Sequence, residues 1–368
     1  MPFTRRQFNR LAGLAAVSPW FPRLDASGAE APPEPQRLRW CIVALGRISM
    51  DHFMPAVKTT QTSVITALVS GHRPKAEQQA ALYGVPSSAI YSYDNMDEIA
   101  HNRNIDAVYI ALPNSMHAEY TIRAAKAGKH VLCEKPMATS VDDCRAMIAA
   151  CKEANVKLMI AYRCQYEPSN LRAIELIRSG KLGTIQAIES ANGFNIRAGE
   201  WRLDKKLAGG GPLMDMGVYS LNGCRYLTGE EPAEIKAVSS VIDHDGRFNE
   251  VEENVSWTMK FPSGIVASCN TSYGAGMNGF YRVHGSKGTL EMESAFGYQG
   301  QHLTAQLPNH ENIDELNPAR DPSQFVNEAN YFASCVFENK TPKTAGEEGL
   351  RDVELISEIY KSSGRPGL

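Results

Sequence analysis

The sequence predicts an α/β region built on a doubly wound parallel sheet, followed by an α+β C-terminal region with a large, mostly antiparallel open sheet. Three observations carry this. The chain has 368 residues, more than one ordinary domain. From 38 to 161, continuous apolar runs alternate with helical patterns, as expected of strands buried on both faces of a parallel sheet. From 162 to 368, strand signals follow one another closely with turn residues between them, the mark of antiparallel pairing.

In the first part, strands are expected at Trp40–Leu45, Val64–Val69, Ala107–Leu112, His130–Cys133 and Lys157–Tyr162. Helices are expected between them at His52–Val57, Pro74–Tyr83, His117–Ala127 and Val141–Ala154, with Gly84, Gly128 and Asn155 as stop signals. In the second part, helices are expected at Ser169–Ser179 and Gly217–Leu227. Strands are expected at Thr184–Ser190, Glu234–Ile242, Val255–Phe261, Ile265–Ser272, Tyr281–Gly285 and Thr289–Met292. Pro262-Ser263-Gly264 and Ser286-Lys287-Gly288 supply hairpin turns, and a helix at Glu347–Ser362 closes the chain.

Hydrophobic residues make up 43% and charged residues 21%, the balance of a soluble globular protein, and the net charge is −3. No long basic run points to nucleic acid or an anionic membrane. The first residues differ in character. Arg5-Arg6-Gln7-Phe8 precedes Leu11–Phe21, an apolar stretch too short to span a bilayer. The pair of arginines resembles the twin-arginine signal, which exports proteins already folded. Residues 1–30 are therefore expected to be a signal peptide directing the chain to the periplasm. Residues 31–37, with Ala31-Pro32-Pro33-Glu34-Pro35, are expected to form a proline-rich arm. The eight cysteines form no C-x-x-C pair, so neither zinc nor any other metal is expected. A chain that folds before export folds in a reducing compartment, and the even cysteine count leaves disulfides undecided.

The turn Ala44-Leu45-Gly46-Arg47-Ile48-Ser49 falls where the first strand passes into the first helix, the place of the dinucleotide fingerprint. Gly46, Arg47 and Ile48 are candidate cofactor contacts. The second strand ends in Val69-Ser70-Gly71-His72-Arg73-Pro74-Lys75, without the acidic residue that NAD-binding Rossmann folds place there. A carboxylate would repel a 2′-phosphate, whereas Ser70, Arg73 and Lys75 could bind one, so NADP(H) is the expected cofactor. Glu134 and Lys135 follow a buried strand, at the carboxyl end where open α/β sheets bind ligands. Gly209-Gly210-Gly211-Pro212-Leu213 leads into a helix on which Asp215 and Tyr219 share a face.

Leu112-Pro113-Asn114 with His117, then Glu134-Lys135-Pro136, then Asp215 with Tyr219, in that order, resembles the glucose–fructose oxidoreductase/inositol dehydrogenase family over nearly all of 37–368. Ser70-Gly71, Tyr162–Pro168, Trp201-Arg202-Leu203 and Gly211–Asp215 are most similar to its periplasmic aldose-oxidoreductase members. Tyr219 stands where many members carry His, and Ala44 replaces a usual glycine.

The resemblance implies a Rossmann domain at 38–161 and a substrate and oligomerisation domain at 162–368. It also implies that Lys135 and Tyr219 bind the reacting hydroxyl, with Tyr219 as acid/base and Asp215 positioning the substrate. The Lys135 ammonium is expected to lower the Tyr219 pKa toward the working range. Tyr93, His117, Arg163, Trp201 and Arg202 would line the cofactor, together with Leu112, Pro113, Asn114 and Glu134, and Tyr298 would face the substrate. The expected activity is an NADP-dependent sugar oxidoreductase that oxidises an aldose to its lactone and reduces a second sugar on a retained cofactor, as a dimer or tetramer. Two alternatives stand beside it: a simple dehydrogenase that releases NADPH, and a non-catalytic sugar- or nucleotide-binding protein.

Overall fold

The computed structural model describes residues 36–317 and 323–368. The expected export signal (1–30) and most of the expected proline-rich arm (31–37) lie outside the described residues. Six parallel strands form the first sheet: β1 (Leu38–Val43), β2 (Ser63–Val69), β3 (Ile90–Tyr91), β4 (Ala107–Ile110), β5 (His130–Glu134) and β6 (Leu158–Ala161). Their spatial order is β3-β2-β1-β4-β5-β6. The direction of winding reverses between β1 and β4, where Val43 pairs with Ile110. That reversal opens a crevice beyond the carboxyl ends of both strands, where Rossmann folds bind their ligands. Apolar residues fill these strands because helices cover both faces. The helices are α1 (Met54–Thr59, entered through a wide π-type turn at Ile48–Phe53), α2 (Arg73–Tyr83), α3 (His117–Lys126) and α4 (Val141–Glu153).

The second sheet has eight strands: β7 (Ile185–Gly193), β8 (Glu234–Ser240), β9 (Asn254–Lys260), β10 (Val266–Ser272), β11 (Met277–Gly285), β12 (Thr289–Glu293), β13 (His302–Gln306) and β14 (Asn312–Leu316). Their order is β14-β13-β12-β11-β7-β10-β9-β8, antiparallel throughout except for the parallel pair β7–β10. On one face lie α5 (Pro168–Arg178) and α7 (Val218–Thr228); the short α6 (Lys205–Ala208) precedes α7. Alternation along β9 and β10 buries Val255, Trp257, Met259, Ala267 and Cys269 beneath the helices. It turns Ser256, Thr258, Ser268 and Asn270 outward, leaving the opposite face open.

Two late helices join the sheets. α8 (Ser323–Phe337) returns to α1 and β2, with the Phe332 ring 5.4 Å from that of Trp40. α9 (Gly346–Ser362) packs on α4, β6 and β8. A cut at 161/162 therefore separates the sheets, but residues 36–368 pack as one compact unit. The strands β3, β13 and β14 and the helix α8 go beyond the sequence reading. The two-residue β3 is too short for any period to show. The buried residues Phe325, Ala329, Phe332 and Ala333 do follow a helical period, and that signal was open to reading. All eight cysteines are buried thiols, with the Cys224 and Cys269 sulfurs 3.7 Å apart. Among the described residues, no helix is long and apolar enough to cross a membrane.

Candidate active site

The site is assembled at the crevice from three backbone devices. The first is the turn after β1. Ala44 adopts a left-handed φ of 74°, and its carbonyl accepts the Ser49 hydroxyl at 2.8 Å, which fixes the turn without a glycine there. No side chain caps the helix that begins at Ile48, so its first amides are left for a ligand. A Cβ on Gly46 would meet nothing within 4 Å, so this turn faces open space. An anionic group fits such a cradle, and the exposed Arg47 stands at its rim.

The second device is the turn after β2. The Ser70 hydroxyl accepts from the His72 amide at 3.1 Å, and the His72 ring caps α2 by accepting from the Lys75 amide. A Cβ on Gly71 would lie 3.0 Å from the Tyr93 ring, so glycine lets that aromatic wall pack closely against the turn. The Lys75 side chain has no hydrogen-bond or ion-pair partner among the described residues. Arg73 requires a correction. Its guanidinium donates to Glu77 at 2.8 Å and to the carbonyls of Ile90 and Ser87, which commits it to α2 and β3 and away from a nucleotide phosphate.

The third device is the glycine-rich entry to α7. Gly209 takes a φ of 82°, and a side chain on Gly210 would collide with the Tyr360 hydroxyl. That hydroxyl donates to Glu252, whose carboxylate accepts the amides of Gly211 and Leu213. Glu252 thus anchors the start of the π-type turn Leu213–Gly217, which carries Asp215. Neither Glu252 nor Tyr360 was singled out in the sequence.

Lys135 and Asp215 meet here. The Lys135 ammonium donates to the Asp215 carboxylate at 3.0 Å and to its backbone carbonyl at 2.8 Å. The other Asp215 oxygen accepts from Arg202 at 2.8 Å and from the Tyr273 hydroxyl at 2.9 Å. Burial pushes the Asp215 pKa up, but Lys135 and Arg202 outweigh it and hold the group well below the usual carboxylate range. Tyr273 was missed, although the buried positions 267, 269, 271 and 273 continue one period-two face that points at this turn.

Tyr219 lies beside the pair. Lys135 sits 4.6 Å from the centre of its ring, while the cation at its oxygen is Arg163, which donates to the hydroxyl at 3.1 Å. The expectation that Lys135 lowers this pKa is corrected. Burial raises it above the ordinary tyrosine value, with Arg163 the main opposing charge. The resting hydroxyl is therefore protonated. Because Arg163 can only donate, the Tyr219 hydroxyl accepts from it and keeps its own proton free. An ammonium has three donors, and Lys135 spends two on Asp215. Among the described residues, one Lys135 N–H and the Tyr219 O–H are left without an acceptor, with the Lys135 ammonium over the Tyr219 ring.

Three further assignments shift. His117 is 1% exposed, its ring nitrogens 2.9 Å from the carbonyls of Leu112 and Pro136. It is a strut between the two loops and does not line the crevice. Asn114 is buried and donates to the Ala208 carbonyl, tying the Leu112-Pro113-Asn114 loop to α6. Arg163 is 5% exposed, bound to Gln324 and to the carbonyls of Phe296 and Gly297, and so braces Tyr219 from behind. Trp201 stacks under Arg202, whose guanidinium stays partly exposed. Tyr298 is 44% exposed, with Arg163 4.4 Å from its ring centre.

Glu134 accepts from the fully buried Tyr109 hydroxyl at 2.6 Å. Behind it, the carboxyl of Glu328 on α8 is wholly buried without a hydrogen-bond partner among the described residues. Burial, reinforced by Glu134, raises the Glu328 pKa well above its ordinary 4.5. The folded state therefore holds a proton that the unfolded chain loses, so this group makes stability fall as pH rises above about 4.5. Glu328→Gln is expected to raise the thermal midpoint at pH 8, with the gain shrinking toward pH 4. Thermal melts of both proteins across that range check it.

A parallel sheet with a ligand-ready turn at its switch point, and a lysine, a carboxylate and a tyrosine converging beside it, define a dinucleotide-dependent oxidoreductase. Comparison with known proteins agrees. Residues 38–162 match the oxidoreductase family with an NAD-binding Rossmann fold, and residues 170–291 match the GFO/IDH/MocA C-terminal domain. The chain belongs to the GFO/IDH/MocA oxidoreductase family. It is 32% identical to the D-xylose 1-dehydrogenase [NADP(+)] of Haloarcula marismortui, over 95% of this chain and 96% of that protein. The structure of an aldose–aldose oxidoreductase from Caulobacter crescentus superposes with a TM-score of 0.86 at 42% identity, covering 90% of this chain and 100% of that one. A 3-ketoreductase from Actinomadura kijaniata shares the fold at 22% identity and a TM-score of 0.76, covering 89% of this chain and 98% of that one.

Proposed function

We propose that the chain is an NADP-dependent aldose oxidoreductase that oxidises one sugar to its aldonolactone and reduces a second, fructose or another aldose, on the same retained cofactor. The carrying observation is the pair of unspent donors, Lys135 N–H and Tyr219 O–H, beside Asp215. The similarity to an aldose–aldose oxidoreductase and to an NADP-dependent xylose dehydrogenase supports the substrate class and the cofactor.

When bound, the nicotinamide accepts or supplies the hydride. Lys135 and Tyr219 hold the reacting oxygen; Tyr219 takes its proton in oxidation and returns one in reduction, while Lys135 carries the developing negative charge. Asp215, kept ionised, fixes Lys135 and Arg202 so that neither drifts from the substrate. One donor pair serves both directions, because proton and hydride run backwards in the second half-reaction.

The phosphate end follows from the turn after β2, where no carboxylate stands and Lys75 is unspent. Lys75→Ala is expected to weaken NADP binding about ten- to hundredfold, the worth of a charge-assisted hydrogen bond, and to leave NAD nearly unchanged. Arg73→Ala should do less. Equal losses for both nucleotides, read by titration calorimetry, would contradict the assignment.

Arg5-Arg6 supports export as a folded protein to the periplasm, where free NADP(H) is scarce and a cofactor loaded beforehand must be regenerated in place. The open face of the second sheet supports assembly of two or four copies. The activity is tested by incubating the purified protein with an aldose alone, without nucleotide. The expected products are lactone and alditol in equal amounts. A need for stoichiometric added NADP would favour the simple dehydrogenase.

A further inference from the structure

We propose that His52 is a positioning residue that locks the nucleotide-binding turn to the catalytic tyrosine by stacking on Tyr298. His52 belongs to the Ile48–Phe53 turn, directly after the uncapped Gly46-Arg47 cradle. Its imidazole lies face to face with Tyr298, centroids 3.9 Å apart and planes 22° apart, and is flanked by Phe325 at 5.3 Å. Tyr298 and Phe325 both come from the part of the chain beyond the second sheet's central strands.

From Tyr298 the contact continues inward. The Arg163 guanidinium lies 4.4 Å from the Tyr298 ring centre and 5.0 Å from that of Tyr219, and donates to the Tyr219 hydroxyl. A continuous column, His52–Tyr298–Arg163–Tyr219, thus runs from the helix that begins at the dinucleotide site to the acid/base oxygen. Such a column suits a neutral ring at its outer end, since a second cation would repel Arg163. Burial and Arg163 both lower the His52 pKa, against the weaker pull of Asp51.

The consequence is mutual. A nucleotide seated on the turn steadies His52, and through it the two rings that set the direction of Tyr219. Conversely, the stack holds the turn closed on the nucleotide. This rests on the dinucleotide-site reading but not on the two-sugar cycle, because retention and turnover are compared between variants of the same protein.

The test uses the full-length enzyme loaded with NADPH. Dissociation is read from the decay of nicotinamide fluorescence after a chase with excess NADP, and steady-state turnover is measured separately. His52→Ala is expected to speed nucleotide release and to lower kcat, each roughly threefold to tenfold, as for loss of one aromatic stack, with the sugar KM little changed. His52→Phe keeps the stacking face and should restore both rates, which a requirement for the imidazole nitrogens would not allow. No change in His52→Ala, or equal losses in His52→Ala and His52→Phe, would overturn the proposal. If the parent itself releases NADPH within a turnover, the two-sugar cycle fails while the ratio between variants still decides on His52.

Discussion

Tyr219→Phe is expected to reduce turnover by roughly 10²–10⁴-fold, the range for loss of a positioned acid/base group, with nucleotide still bound. The ring stays in place against Lys135 and Arg163, so only the oxygen that moves the proton is lost. The same site predicts a pH dependence. Burial holds the Tyr219 proton more tightly than usual, so the base form needed for aldose oxidation grows as pH rises. Oxidation should therefore accelerate with pH without levelling below about pH 10, the ordinary tyrosine value. Reduction of a carbonyl sugar uses the acid form and should stay flat over the same range. Stopped-flow measurement of each half-reaction checks both. Near-normal turnover in the variant would move the proton transfer to another residue.

Lys135→Met should be the second severe loss, about 10²–10³-fold in kcat, the range for removing one donor to a developing oxyanion. Its effect has two parts. The substrate oxygen loses its cationic donor, and Asp215 loses the partner that holds one of its oxygens, retaining Arg202 and Tyr273 on the other. Asp215 should then drift, so the sugar KM should rise as well, in contrast to Tyr219→Phe. A variant with lower kcat and unchanged KM would show that Asp215 is held without Lys135.

Both sheets were legible because burial imposes simple periods on a sequence. The runs around Trp40–Val43 and Ala107–Ile110 are apolar on both faces, and β9 and β10 alternate from Val255 to Lys260 and from Val266 to Thr271. Lys135, Asp215 and Tyr219, which the fold brings together, could be singled out because each sits at a strand end or on a glycine-led helix start. Partnerships were less so. Arg73 reads as a phosphate ligand until the carbonyls of Ile90 and Ser87 are seen to satisfy it. His117 reads as a lining residue until two carbonyls enclose it. The cation at the Tyr219 oxygen proves to be Arg163, brought there by the 296–298 loop and Gln324 on α8. Such contacts join residues far apart in the chain, and no local pattern encodes them.

That one site oxidises an aldose and then uses the stored hydride on a second sugar is the core of the proposed function. It is tested most directly by mixing the purified enzyme, without added nucleotide, with a single equivalent of aldose, and following the near-ultraviolet absorbance of reduced nicotinamide. Expected is one rise, of at most one reduced nicotinamide per protein, that returns to baseline when an excess of carbonyl sugar is added. No rise without added NADP, or a reduced nicotinamide that passes through a filter which retains the protein, would contradict it.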